Sequence, residues 1–164
     1  MGESEVRRPR GAVVTISDAC SRGEREDTSG AALRELLGTV ADVLEHRLIP
    51  DDRPTIEATL RELAFAGIEL VLTTGGTGLG PRDVTPEATL AVVDRLVPGL
   101  AEAMRQESLK KTPHAMLSRG IAGVRGCTLI INMPGSPKAV RECFAVIAPV
   151  LPHAVHVMAG GGHG

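Results

Sequence analysis

Short apolar runs rich in β-branched residues alternate along this chain with stretches of helical period. That alternation confines it to an α/β architecture, a mostly parallel sheet between helical layers. Gly11–Ser17 (GAVVTIS) has the continuous hydrophobicity of a strand buried on both faces. After a polar, glycine-containing loop over Asp18–Gly30, Ala31–Leu37 sets Leu33, Leu36 and Leu37 at helical spacing. Val40–Ile49 reads as a second strand ending at Pro50. Pro54–Ala66 reads as a helix opened by proline, with Ile56, Leu60 and Leu63 on one face. Ile68–Thr73 (IELVLT) is a third strand. Helices are expected over Pro86–Leu96 and Leu100–Leu109, and a less regular segment over Lys110–Gly126. A buried strand over Thr128–Met133 and a closing helix over Pro137–Val150 follow. With no repeat or linker in the sequence, the expectation is one domain over 1–164, with flexible tails at 1–10 and 160–164.

A chain of 164 residues buries roughly 70% of the surface that its unfolded form exposes, so it needs neither disulfides nor a structural metal. Its net charge of -2 argues against a nucleic-acid partner, which wants a basic balance or stripe. Two Phe and no Trp or Tyr leave no platform for base stacking. The three cysteines are an odd number without a CxxC pair, which suits reduced thiols; small-hydrophobe packing is expected of Cys127 and Cys143. No apolar stretch appears long enough to span a bilayer, and MGESEVRRPRG lacks the apolar region of a secretory signal. The expected location is cytoplasmic, with no membrane partner. Arg7, Arg8 and Arg10 read as a solvated basic tail. His153 and His156 share a helical spacing without a third ligand, and no GxSxG elbow marks a hydrolase.

Ligands of an open parallel sheet sit in the loops at the carboxyl ends of its strands, and here those loops are rich in small, hydroxylic and acidic residues. The first holds Ser17 and Asp18, then Asp27, Thr28, Ser29 and Gly30. Asp51 and Asp52 follow the second strand. Thr74, Gly75, Gly76, Thr77 and Gly78 follow the third, with Asp83 beyond. Pro134, Gly135, Ser136, Pro137 and Lys138 follow the late strand. The glycines let backbone N–H groups approach an anion closely. The loop is neither a phosphate-binding GK[ST] loop nor a GxGxxG fingerprint, and on its own it could be a plain strand-to-helix turn. Thr85 reads as an N-cap with Pro86 at the first helical position, which leaves Asp83 outside the cap. One of Asp51 and Asp52 is expected to start the helix at Pro54. Carboxylate oxygens of this kind suit Mg²⁺ bound together with substrate phosphates, and a turn-stabilising role is the alternative for each. Lys138 opposes the dipole of the helix that Ser136 and Pro137 open, so it reads as an anion contact or as a solvated lysine.

TTGGTG followed by PRDVTPEAT, with the later PGSPKAV and the earlier TISD, resembles the MogA/MoaB family of molybdopterin adenylyltransferases, and the gephyrin G domain is similar. The likeness runs from about Ala12 to about Val150. It implies a three-layer α/β/α molybdopterin-binding fold, a homotrimer, and the reaction of molybdopterin with ATP to give adenylylated molybdopterin and pyrophosphate. The family's two functional aspartates match Asp51 and Asp83, which would be catalytic and would hold Mg²⁺. Its glycine loop matches Gly75–Gly78, and its Pro-Gly loop matches Pro134–Lys138. The expected substrate-binding set is therefore Ser17, Asp18, Asp27, Ser29, Thr74, Gly75, Gly76, Thr77, Gly78, Pro134, Gly135, Ser136 and Lys138. Ser108 and Ser118 fall in segments resembling the family's, without an assigned role. The resemblance also implies hand-over of product to a molybdenum insertase. The rival readings are a non-catalytic MoaB-like pterin-binding protein and a CinA-type relative acting on other nucleotides.

Overall fold

Successive side chains of a strand point to opposite faces, and along the central strands both faces are apolar, so each strand feeds two cores. The computed structural model describes residues 7–162; what was expected of residues 1–6 and 163–164 lies outside the described residues. Strands β1 (Arg10–Ile16), β2 (Asp42–Ile49), β3 (Leu70–Thr74), β4 (Arg95–Leu96), β5 (Ala122–Arg125) and β6 (Thr128–Met133) form one sheet in the order β2-β1-β3-β6-β5-β4. Strands β2, β1, β3 and β6 are parallel, while β5 and β4 continue the sheet antiparallel. The register pairs Ile16 with Ile49, Thr15 with Thr74, and Thr74 with Met133, so the carboxyl ends of the four parallel strands lie level.

The helices are α1 (Asp18–Ser21), α2 (Thr28–Leu37), α3 (Arg53–Phe65), α4 (Thr85–Val92), α5 (Pro98–Leu109), α6 (Pro137–Ile147) and α7 (Leu151–Met158). On one face Val13, Leu70, Leu72, Leu129 and Ile131 pack with Leu33 and Leu37 of α2, Met104 of α5, Val140 and Phe144 of α6, and Val155 of α7. On the other, Ala12, Val14, Ile16, Val71 and Ile130 meet Ile56, Leu60 and Leu63 of α3 and Ala88 and Val92 of α4. This is the expected three-layer sandwich. Each fully buried Leu or Ile contributes about 1.5–3 kcal/mol relative to exposure.

Tertiary pairing overrides the local pattern at several places. The helix expected over Pro86–Leu96 stops at Val92: Val93 turns to extended backbone, and the amides of Asp94 and Val97 donate to the Val124 and Ala122 carbonyls. The irregular segment Lys110–Gly126 contains β5, which returns into β6 through Gly126 at φ 57°. The loop over Asp18–Gly30 carries the single turn of α1 and the start of α2, so α2 begins at Thr28 rather than Ala31. The closing helix breaks at a 3-10 turn over Ala148–Val150, where Pro149 cannot donate an N–H, and resumes as α7. By length and composition alone the 22-residue run Pro137–Met158 meets the measure of a membrane-crossing helix, which the sequence reading did not find; here Val140, Phe144, Ile147, Leu151 and Val155 face the core.

Part of the expected N-terminal tail is ordered. Arg7 grips Glu69 through both guanidinium nitrogens at 2.7 and 2.9 Å. Arg8 reaches Asp42 and the Gly38 and Ala41 carbonyls, and the Arg10 amide donates to Glu69. The Arg7 hydrogen bond holds the buried Glu69 carboxyl below its usual range. The cysteines also depart from expectation: Cys143 is buried, but Cys127 is exposed beside the hairpin and Cys20 is the second buried thiol.

Truncating a core side chain of α3 should be costly and truncating an exposed one should not. Leu60 is 0% exposed and Phe65 is 97% exposed. Leu60→Ala is expected to lose roughly 2–5 kcal/mol of unfolding free energy in urea titrations, and Phe65→Ser less than about 0.5 kcal/mol.

Candidate functional site

Leaving β1 the chain passes to β2 on one side, and leaving β3 it passes toward β6 on the other. The crevice between the carboxyl ends of β1 and β3 is therefore the switch point of the sheet, where open α/β folds bind ligands. Into it runs the turn after β3. Gly75 has φ 102° and Gly76 φ 70°. A Cβ on Gly75 would lie 2.2 Å from the Ile16 carbonyl oxygen, and one on Gly76 would lie 2.2 Å from Thr85 Oγ1. Both conformation and space require glycine here. Thr74 Oγ1 donates to the Pro134 carbonyl at 2.6 Å, tying this turn to the Pro-Gly loop.

Thr85 does not cap α4 as expected. It is fully buried as the first helical residue; its Oγ1 donates to the Gly75 carbonyl at 3.0 Å and its amide to the Gly76 carbonyl at 3.1 Å. Val84 stands at the cap without a side-chain bond. The hydroxyl is spent on holding the glycine turn.

The two adjacent aspartates divide their work. Asp52 caps α3, accepting from the Thr55 amide at 3.1 Å and its hydroxyl at 2.5 Å. Asp51 faces the glycine turn. Its Oδ2 accepts from the Asp18 amide at 2.9 Å, while Asp18 Oδ1 accepts from the Asp51 amide at 3.0 Å, a reciprocal clasp between the first two loops. Asp51 Oδ1 is buried and has no hydrogen-bond partner among the described residues. It lies 3.1 Å from where a Cβ on Gly76 would stand. Burial pushes the Asp51 carboxyl up; the Asp18 amide opposes this, and the charges of Asp18 and Asp83 reinforce it. Asp18 goes the other way, because Arg82 donates to both of its oxygens at 3.0 and 3.1 Å.

Asp83 Oδ2 accepts from the Gly80 amide at 2.9 Å. Its main chain is fixed from behind by Arg119, whose Nη2 donates to the Asp83 carbonyl and whose Nε donates to the Gly78 carbonyl, both at 2.7 Å. The Arg119 amide donates to the Thr77 carbonyl, and its Nη1 pairs with Glu87. Neither Arg82 nor Arg119 stood out in the linear pattern. Arg82 adjoins Asp83 within a motif, whereas Arg119 is 36 residues away from it, and only folding joins the two.

The glycine turn and the Pro-Gly loop form a wall between two cavities. A polar one of about 220 Å³ is lined by Ser17, Cys20, Arg25, Thr28, Ser29, Asp51, Thr74, Gly75, Gly76, Asp83 and Gly135. A more apolar one of about 310 Å³ is lined by Thr77, Gly78, Met104, Arg105, Ser108, Leu117, Ser118, Pro134 and Cys143. Most of the expected residues converge on one or the other. Three depart. Asp27 lines neither: Oδ1 caps α2 at the Gly30 amide, and Oδ2 takes the Thr15 hydroxyl at 2.7 Å with His46 Nε2 at 3.2 Å. Ser136 is a cap, accepting from the Ala139 amide. Lys138, in the exposed first turn of α6, lines neither cavity. Asp18 is engaged with Asp51 and Arg82, and Ser17 both lines the polar cavity and caps α1. Among the described residues no group of three or more His, Cys, Asp or Glu could hold a metal. The acidic pair Asp51 and Asp83 suits instead an ion that shares its coordination with a ligand's oxygens.

The family described as "Probable molybdopterin binding domain" matches residues 12–153. A protein named molybdopterin adenylyltransferase from Helicobacter pylori is 43% identical over 152 residues, covering 90% of this chain and 86% of that one. The molybdenum cofactor synthesis protein cinnamon of Drosophila melanogaster is 47% identical; the match covers 89% of this chain but only 25% of that longer protein. Among solved structures, the molybdopterin biosynthesis enzyme MoaB of Thermus thermophilus superposes with a TM-score of 0.87 at 54% identity, over 92% of this chain and 96% of that one.

A carboxyl whose pKa is higher folded than unfolded weakens the fold wherever it is ionised in both states. The cost stands in full above the folded value and is gone below the ordinary value of 3.8. Asp51→Asn removes that charge and its repulsion by Asp18 and Asp83. It should raise Tm at pH 7 without divalent cation, and the gain should shrink as the pH falls toward the carboxylate range. Thermal melts across pH check this, and an unchanged Tm at pH 7 would refute it.

Proposed function

This chain belongs to the family of probable molybdopterin binding domains, and we propose on that premise that it adenylylates molybdopterin with ATP and Mg²⁺. The observation that carries the reading is Asp51 Oδ1, a buried carboxylate oxygen with no partner among the described residues, in a cleft it shares with Asp83. A buried lone pair of this kind costs stability unless something fills it. Hard carboxylate oxygens, two from the protein and the rest from phosphate and water, match what Mg²⁺ accepts. When bound there, Mg²⁺ would neutralise charge on the reacting phosphates.

The chain's own residues do the remainder. The polar cavity takes the phosphates and nucleotide: the half-buried turn at Gly75 and Gly76 and the start of α2 at Thr28 and Ser29 line it, where backbone N–H groups and hydroxyls suit an anion. The apolar cavity suits a flat heterocycle, with Met104 and Leu117 against its faces and Ser108, Ser118 and Arg105 at its edges. The shared wall would then bring the pterin's terminal phosphate and the α-phosphate of ATP together. Transfers of this type need positioning and charge neutralisation rather than covalent help. The clasp between Asp18 and Asp51 and the brace of Arg119 behind Asp83 provide that positioning.

We further propose that the chain acts as one domain over 1–164 in a cytoplasmic homotrimer that hands its product to a molybdenum insertase. Analytical ultracentrifugation at micromolar concentration is expected to give a trimer, and a persistent monomer would overturn that assembly.

If Asp51 and Asp83 serve one ion in the transition state, each is worth several kcal/mol there. Asp83→Asn and Asp51→Asn should each slow adenylylation roughly a hundredfold or more. The double variant should be little slower than either, and molybdopterin affinity should stay nearly unchanged. A wild type that binds the pterin but releases no pyrophosphate would establish a binding protein instead.

A further inference from the structure

The loop between β3 and α4 is held by two arginines, and they are bound very differently. Arg119 is locked by the Gly78 and Asp83 carbonyls together with Glu87. Among the described residues Arg82 is hydrogen-bonded to one partner, the Asp18 carboxylate; its side chain is 63% exposed, and it adjoins in sequence Asp83, which lines the polar cleft. Among the described residues it is the one guanidinium hydrogen-bonded to a side chain of the group Asp18, Asp51 and Asp83. Three carboxylates and one guanidinium leave this group two charges negative, which a divalent cation would cancel. Once it does, Asp18 no longer needs Arg82 as counter-charge. The guanidinium is solvent-exposed and can exchange the carboxylate for a multiply charged phosphate, which the planar fork grips through two hydrogen bonds.

Resting on the adenylyl-transfer reading above, we propose that Arg82 is a catalytic residue that leaves Asp18 to bind the departing pyrophosphate. In the transfer an oxygen of the pterin phosphate forms a bond to the α-phosphorus of ATP. The bond from that phosphorus to the bridging oxygen breaks, and its electron pair stays on the oxygen, which becomes a terminal oxygen of pyrophosphate. No proton or outside electron acceptor is needed. Negative charge grows on that oxygen, and a cation that reaches it stabilises the transition state more than bound ATP. A group serving the leaving side belongs at the open rim, where the product escapes. Arg25 lines the cavity from the first loop, Arg119 is not free to move, and Arg82, next to Asp83 and held only by Asp18 among the described residues, is the guanidinium already tied to the acidic group. Asp18 is the resting partner of the guanidinium.

The test uses the full chain with Arg82→Gln, Arg82→Lys and Asp18→Asn. It measures adenylylation kinetics and, separately, calorimetric binding of Mg²⁺-pyrophosphate without pterin or turnover. Arg82→Gln is expected to lower kcat roughly a hundredfold with KM for ATP changed less than about threefold. It should also weaken pyrophosphate binding by about tenfold or more. Arg82→Lys, which keeps the charge but loses the fork, should fall between Gln and wild type in both readouts. Asp18→Asn releases Arg82 and should bind pyrophosphate at least as tightly as wild type. Two results would overturn the proposal: wild-type pyrophosphate affinity in Arg82→Gln, or the same loss of pyrophosphate affinity in Asp18→Asn as in Arg82→Gln, which would make Arg82 a prop for Asp18. Should Arg82→Gln fail to fold, the comparison of Arg82→Lys with Asp18→Asn decides in the same way. A wild type that binds pyrophosphate but transfers no adenylyl group would count against the function above, while the binding arm would still judge Arg82.

Discussion

Gly75 passes so close to the end of β1 that a single added carbon would lie 2.2 Å from the Ile16 carbonyl oxygen. The rest of the candidate site depends on that approach. It brings the third loop of the sheet over the first, so that Asp51, held by the first loop through Asp18, faces the glycine turn. The turn is kept there from three directions: Thr85 holds the Gly75 and Gly76 carbonyls, Thr74 holds the Pro134 carbonyl, and Arg119 holds Thr77 and Gly78. Positive φ at two successive residues is cheap for glycine, but its many open conformations must be excluded by neighbours. These hydrogen bonds exclude them.

The same contacts separate the two cavities and unite them. Because Thr77 and Gly78 line one cavity while Gly75 and Gly76 line the other, a shift of the turn changes both. Arg119 leaves the apolar side, where its neighbour Ser118 lines the wall, and reaches the backbone of Asp83 on the acidic side. Arg119 thus ties the segment that lines one chamber to the backbone of a carboxylate in the other. The buried polar network of Asn132 gives this wall a firm floor. Its Nδ2 donates to Thr73 and Thr89, and its Oδ1 accepts from the Ile121 amide, joining β3, β6, α4 and the approach to β5.

The acidic cleft also stores an imbalance. Asp51 keeps a buried oxygen unpaired and its carboxyl is pushed up by burial and by like charges, whereas Asp18 is drawn down by Arg82. Neighbouring carboxylates with opposite shifts are a familiar mark of sites that trade stability for function. A fold with roughly 5–15 kcal/mol of net stability tolerates the imbalance because two well-packed cores lie immediately beneath it.

The amino-acid sequence by itself determined the layer architecture, the parallel strands and the four loops that meet at their carboxyl ends. Those features follow from local chemistry: the two-sided hydrophobicity of GAVVTIS, IELVLT and TLIINM, the helical spacing of Ile56, Leu60 and Leu63, and glycines where side chains cannot fit. Asp83 and the TTGGTG turn could be placed together because they share a loop, whereas Asp51 was singled out from Asp52 only by the family resemblance. Only the tertiary structure decided which neighbouring polar groups were spent on architecture. Asp52 and Asp27 went to helix caps, Thr85 to the glycine turn, and Arg7 and Arg10 to Glu69. It also ended α4 at Val92 in favour of a strand paired with β5 and placed Arg119 behind Asp83. A polar side chain has the same local signature whether it binds a ligand or a distant backbone group. The choice is made by partners that lie tens of residues away in sequence and within about 3 Å in space.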